Sequence, residues 1–205
     1  MDSKFIMDGL DIMVENPKCE LNFKTPFQLL VAVILSAQCT DKRVNQVTEQ
    51  LFKTHKKPED FVNISQEELE TKIHSCGFYR NKAKAIKFAS RDIIEKFNGE
   101  VPNNFDELIT LAGVGRKTAN VVLAVAFNQD AIAVDTHVLR VSNRLGIVKT
   151  KDPNKCEERL RSVFPKQEWS KLHYQMVLFG RYVCKAIKPQ CEKCVFNREC
   201  PNSRV

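Results

Sequence analysis

The sequence predicts an all-α fold, and three observations carry that prediction. Helix-start signals recur: a capping residue directly before a proline at Thr25-Pro26 and Asp152-Pro153, and a capping box at Ser65-Gln66-Glu67-Glu68. Between these signals apolar residues return at helical spacing. Extended sequence is confined to one short run, Ala131-Ile132-Ala133-Val134. One such run cannot build a sheet, so it is expected to be a buried connector.

In chain order, Thr25-Pro26 opens a helix that carries Phe27, Leu30, Val31 and Ile34 on one stripe. Asp41 is expected to cap the next helix, with Val44, Val47 and Leu51 on one face. The helix after Ser65 carries Leu69 and Ile73 and stops at Gly77. Residues 81–98 place Ala83, Ile86, Ile93 and Phe97 on one stripe and end at Gly99. Asn104 caps a helix expected to reach Leu111, and another runs from about Arg116 to Phe127. Asp135 precedes Val138, Val141 and Leu145, with Gly146 as the stop. The helix after Asp152-Pro153 carries Leu160 and Val163, and a last helix covers about Ser170 to Cys184.

The chain has 205 residues, 43% of them hydrophobic, which suits a folded globular protein and excludes a disordered one. A net charge of +7 suits a polyanionic partner such as nucleic acid, although a merely basic soluble protein has the same balance. The start carries Asp2, Asp8, Asp11 and Glu15 where a signal peptide needs a basic start and an apolar centre. No apolar run is long enough for a bilayer. A soluble, intracellular and cytoplasmic protein with no membrane partner is therefore expected. With no apolar seam left over, a monomer is expected too.

Of the eight cysteines, Cys19, Cys39, Cys76 and Cys156 are scattered and read as small packing residues. Cys184, Cys191, Cys194 and Cys200 crowd together with six, two and five residues between them. The two-residue gap makes a tight chelating turn, and the longer loops close the other corners. A Cys₄ set of this kind holds zinc or an iron–sulfur cluster, and spacing alone leaves both open. Lys185, Lys188, Lys193 and Arg198 surround the ligands, as ordinary solvated charge or as a phosphate-binding loop.

Gly113-Val114-Gly115 makes a tight turn between two helices, followed by Arg116-Lys117-Thr118. A helix start with unpaired N–H groups and a positive dipole end is suited to a phosphate. The pattern matches a helix-hairpin-helix, which clamps a DNA backbone without reading bases. It lacks the spacing of a nucleotide P-loop. Lys117 falls in the first turn of the second helix. The dipole end and partial desolvation should favour its neutral amine, a nucleophile able to form a Schiff base; the plainer role is contact with phosphate. Asp135 is at least an N-cap, and as a partly buried carboxylate it could also stabilise positive charge at a sugar carbon.

Together these stretches resemble endonuclease III, a family of helix-hairpin-helix DNA glycosylases. The resemblance rests on Leu35-Ser36-Ala37-Gln38-Cys39-Thr40-Asp41, Gly113 to Asn120, Val134-Asp135-Thr136-His137 and the cysteine tail, and spans about Thr25 to Cys200. It implies a six-helix domain over 20–130 and a second helical domain from 1–19 plus 131–205, with duplex DNA in the cleft between them. The second domain would hold a [4Fe-4S] cluster through Cys184, Cys191, Cys194 and Cys200. The implied activity is removal of oxidised pyrimidines followed by abasic-site lyase chemistry. Lys117 would be the nucleophile and Asp135 its carboxylate partner. Gly113, Gly115, Arg116, Thr118 and His137 would contact DNA, Gln38 would fill the space left by the flipped nucleotide, and Phe78 would be an apolar wedge.

Without the resemblance, Gln38 reads as a polar helix end and Phe78 as a core residue. Three positions depart from the family pattern: Ala112 for proline, Phe78 for leucine and Cys39 for alanine. Monofunctional adenine, thymine or uracil mismatch glycosylases of the superfamily usually lack a lysine at position 117. A non-catalytic DNA-binding or redox iron–sulfur protein would need neither Lys117 nor Asp135.

Overall fold

A computed structural model describes residues 1–205 and contains helices and turns but no strand. The helices are α1 (Ser3–Met13), α2 (Pro26–Ser36), α3 (Asp41–Thr54), α4 (Pro58–Asn63), α5 (Gln66–Ile73), α6 (Tyr79–Phe97), α7 (Phe105–Leu108), α8 (Arg116–Ala126), α9 (Thr136–Arg144), α10 (Pro153–Val163) and α11 (Trp169–Tyr182). No helix is long and apolar enough to cross a membrane. The chain forms two compact units, Cys19–Asn128 and Met1–Lys18 with Gln129–Val205.

In the unit Cys19–Asn128, α2 is the axis. Every residue from Phe27 to Leu35 is buried, as expected of a helix that is apolar all round. It packs against α3, α6 and α8, and α6 also covers α4 and α5. The Thr25 hydroxyl accepts from Gln28 N at 3.2 Å. Thr40, not Asp41, caps α3: its hydroxyl accepts from Arg43 N, and Asp41 becomes the first helical residue, where its charge meets the positive dipole end. Only one arm of the box at Ser65 is present, Ser65 Oγ accepting from Glu68 N at 3.0 Å. α7 stops at Leu108, short of the expected Leu111. Beyond it the backbone tightens, with Leu111 N bonded to Leu108 O.

In the other unit, α1, α9, α10 and α11 surround a core of Ile6, Leu10, Val138, Val141, Leu160, Met176 and Phe179. The run Ala131–Val134 is buried and in neither helix nor strand, as expected of a connector. One of its carbonyls, Ala133 O, is 2.8 Å from Nδ1 of the buried His173. The cysteine tail is tied to this core by Phe196, which is fully buried and packs edge-on against Phe179 and Phe5. α1 can approach because residue 9 is glycine: a Cβ there would sit 2.3 Å from the Phe196 ring.

Candidate nucleic-acid interface and cysteine centre

The turn between α7 and α8 is built by two glycines with different tasks. Gly113 has φ +74°, and a Cβ there would lie 2.7 Å from Ala85 Cβ of α6. Only glycine fits both the left-handed backbone and the close approach. Val114 is buried and anchors the turn. Gly115 has extended backbone, and nothing lies within 4 Å of where its Cβ would be. It is the N-cap of α8 and supplies no side chain, so the start of α8 is left open to solvent. Arg116 stacks over the Phe105 ring at 5.1 Å, Lys117 is exposed, and Thr118 is partly buried.

The exposure of Lys117 gives no sign of the partial desolvation expected from sequence. Its place in the first turn of an uncapped helix is as expected. Asp135 is in the other unit, where it caps α9. Its Oδ1 accepts from His137 N at 2.9 Å and Val138 N at 2.8 Å, and the residue is partly buried. His137 is partly buried too, and its Nδ1 is 3.1 Å from Arg140 Nη2. Burial holds its imidazole below the ordinary value, with Asp135 opposing that shift and Arg140 reinforcing it.

Gln38 and Phe78 stand on neighbouring turns of the unit Cys19–Asn128. Gln38 is exposed with φ 52°. Phe78 has φ 47° and is 64% exposed, so the core position read from residue type alone is wrong. A large apolar side chain held in solvent on left-handed backbone costs free energy twice. A buried lysine sets these turns. Lys82 on α6 is only 6% exposed, and its ammonium donates to Leu35 O at 2.8 Å and Cys76 O at 2.5 Å. It thereby pins the end of α2, before Gln38, to the turn before Phe78. Desolvation lowers its pKa, and the nearby Cys39 and Cys76 oppose the shift. The one available sequence signal was its position four residues before Ile86 on the apolar stripe.

Cys184, Cys191, Cys194 and Cys200 line one cavity, with Arg144, Leu145 and Phe179 among its other walls. Burial raises the Cys194 and Cys200 thiols, and repulsion from the other cysteines adds to the rise. Backbone N–H groups of Phe196 and Asn202 oppose it by donating to Cys194 and Cys200. Arg144 Nη1 lies 3.5 Å from Cys184 Sγ and also donates to Lys185 O at 2.6 Å. Four converging sulfurs with N–H donors aimed at them fit a cationic centre that stabilises thiolates. Yet no three of the chain's Cys, His, Asp and Glu side chains are grouped closely enough to hold a single ion. Lys185, Lys188, Lys193 and Arg198 are all exposed around the loop.

Arg140 and Arg144, one turn apart on α9, were also missed from sequence. Arg140 donates to Cys184 O at 3.1 Å and Gly180 O at 2.7 Å, and Arg144 to Ala186 O at 3.0 Å. They tie the helix that Asp135 caps to the start of the cysteine loop.

A family model described as HhH-GPD superfamily base excision DNA repair protein matches residues 31–166. The endonuclease III of Bacillus subtilis (strain 168) is 53% identical over 192 residues, covering 93% of this chain and 88% of that protein. The endonuclease III of Escherichia coli (strain K12) is 43% identical over 185 residues, covering 90% of this chain and 88% of that one. A solved structure of a trapped endonuclease III–DNA covalent intermediate matches with TM-score 0.95 and 50% identity, over 97% of this chain and 94% of that chain. A thermostable thymine-DNA glycosylase shares the fold, with TM-score 0.88 at 23% identity.

Proposed function

From the premise that this chain belongs to the HhH-GPD superfamily of base excision DNA repair proteins, and within it to the endonuclease III family, we propose a bifunctional DNA glycosylase and abasic-site lyase acting on oxidised pyrimidines in duplex DNA. The observation that carries the reading is Lys117: an exposed amine in the first turn of a helix whose start no side chain caps. A DNA phosphate fits that open start, held by N–H groups and by Arg116 and Thr118, with Gly113 and Gly115 shaping the approach. The damaged nucleotide is flipped from the stack, Gln38 fills the space it leaves, and Phe78 wedges beside it. His137, in the first turn of α9, contributes on the Asp135 side.

With the nucleotide extruded, Lys117 Nζ attacks C1′ and the base departs with its bonding electrons. The Asp135 carboxylate stabilises the positive charge at the sugar and assists proton transfer. The imine to Lys117 then undergoes β-elimination, which breaks the strand 3′ to the lesion. The missing desolvation of Lys117 falls to the DNA, which covers the amine on docking. A covalent protein–DNA intermediate captured in a relative 50% identical to this chain supports this chemistry.

The four cysteines are the ligands of a [4Fe-4S] cluster in this reading. Four cysteines lining one cavity, two of them with backbone N–H donors aimed at their sulfurs, support a shared metal–sulfur centre. Its part is to organise the loop around it.

Borohydride trapping on a duplex with one thymine glycol tests the proposal. A covalent band in wild type, absent in Lys117→Ala with DNA binding retained, is the expected result. Base release without trapping or nicking would instead place the protein among monofunctional glycosylases.

A further inference from the structure

The turns that carry Gln38 and Phe78 also hold two cysteines for which the proposed chemistry has no use. Cys39 follows Gln38 and is partly exposed. Cys76 ends a 3₁₀ turn directly before Gly77 and Phe78 and is 1% exposed. The Cys39 thiol is close enough to Cys76 to disfavour its ionisation. The Lys82 ammonium lies beside both and binds the Cys76 and Leu35 carbonyls, so the two turns are fixed on either side of the pair. The flanking backbone is left-handed at Gln38, Gly77 and Phe78.

We propose that Cys39 and Cys76 are a redox-active dithiol that a low-molecular-weight disulfide oxidises to an intramolecular disulfide, stapling the two turns together. Accessibility fixes the order of events. The Cys39 thiolate attacks one sulfur of the reagent, forming a mixed disulfide and expelling one thiolate. That thiolate takes the Cys76 proton, the Cys76 sulfur attacks Cys39 Sγ, and a second thiolate leaves with the proton that Cys39 had lost. The protein gives up two electrons and two protons, and the reagent departs as two thiols. Burial, with the Cys39 thiol beside it, pushes the Cys76 thiol up to about 12, so Cys76 does not attack first.

Closing the bond draws the two sulfurs to about 2.05 Å and the turns with them. On the reading that Gln38 and Phe78 enter the DNA stack, the stapled protein loses strand-nicking activity and regains it on reduction.

The cluster-loaded protein is incubated with oxidised glutathione, alkylated and digested with trypsin. Peptide 25–42 should appear joined to 73–80, two hydrogens lighter than the separate pair. In Cys76→Ala, Cys39 should retain one glutathione; in Cys39→Ser, Cys76 should take none. Absence of the joined peptide while the partly exposed Cys19 is glutathionylated would overturn the proposal. A joined peptide with unchanged nicking would uphold the dithiol and overturn the DNA-contact reading of Gln38 and Phe78 instead.

Discussion

His137 donates its backbone N–H to Asp135, while its ring sits beside Arg140. Because burial depresses its folded-state value below the ordinary 6.5, the neutral ring is the form the fold prefers. The stability this contributes is fully present above 6.5 and is lost as pH falls through the depressed folded value. Melting temperatures measured on descending pH should show a loss in wild type that is smaller in His137→Gln. Identical pH profiles would remove His137 from the account. The helix-start positions of Lys117 and Asp135 and the shared cavity of the tail cysteines were legible at this scale because each lies in a contiguous motif. Lys82, Arg140 and Arg144 were not, because their partners lie on other elements: Lys82 Nζ reaches a carbonyl 47 residues away, and Arg140 one 44 residues away.

Helix ends were the most readable elements. Thr25, Ser65, Asn104, Asp135 and Asp152 each accept a backbone N–H where the sequence placed a cap. The failures were local competitions. Thr40 took the cap from Asp41, and Phe78 proved exposed because Gly77 and Phe78 both turn left-handed before α6 begins. The cysteine tail shows what an element without regular structure needs in order to stay in place. Phe196, enclosed by Phe5, Gly9 and Phe179, is its hold on the core. Phe196→Ala should cost about 3–5 kcal/mol, the usual range for emptying a buried aromatic site. Urea unfolding followed by the helical signal would check this. A cost below about 1 kcal/mol, the scale of an ordinary surface change, would mean that Phe196 is not what holds the loop to the core.

Across the whole molecule, the net charge of +7 combines with a helix start at α8 that no side chain caps. Binding to undamaged duplex should therefore weaken steeply with salt, log K falling by about 0.9 per phosphate neutralised for each unit of log salt. Arg116→Ala should flatten that slope by about one unit while leaving lesion preference alone. An unchanged slope would mean that Arg116 spends its charge on the Phe105 ring, not on DNA. The all-helical class was legible in the sequence because helix-start signals, helical spacing of apolar residues and stop glycines agree along the chain. Gly99 and Gly146 have φ of 82° and 72°, where other residues are strained.

The unit that contains α1 takes residues from both ends of the chain, and this sets an order of events during synthesis. Cys19–Asn128 is contiguous, so its partners all emerge from the ribosome together. α1 is made well before Phe196, which packs over Gly9 from 187 residues further along the chain. Until residues 132–179 are made, Ile6 and Leu10, buried in the finished protein, have no core to enter. The nascent chain must carry the apolar stripe of α1 uncovered while the whole of the contiguous unit Cys19–Asn128 is being made.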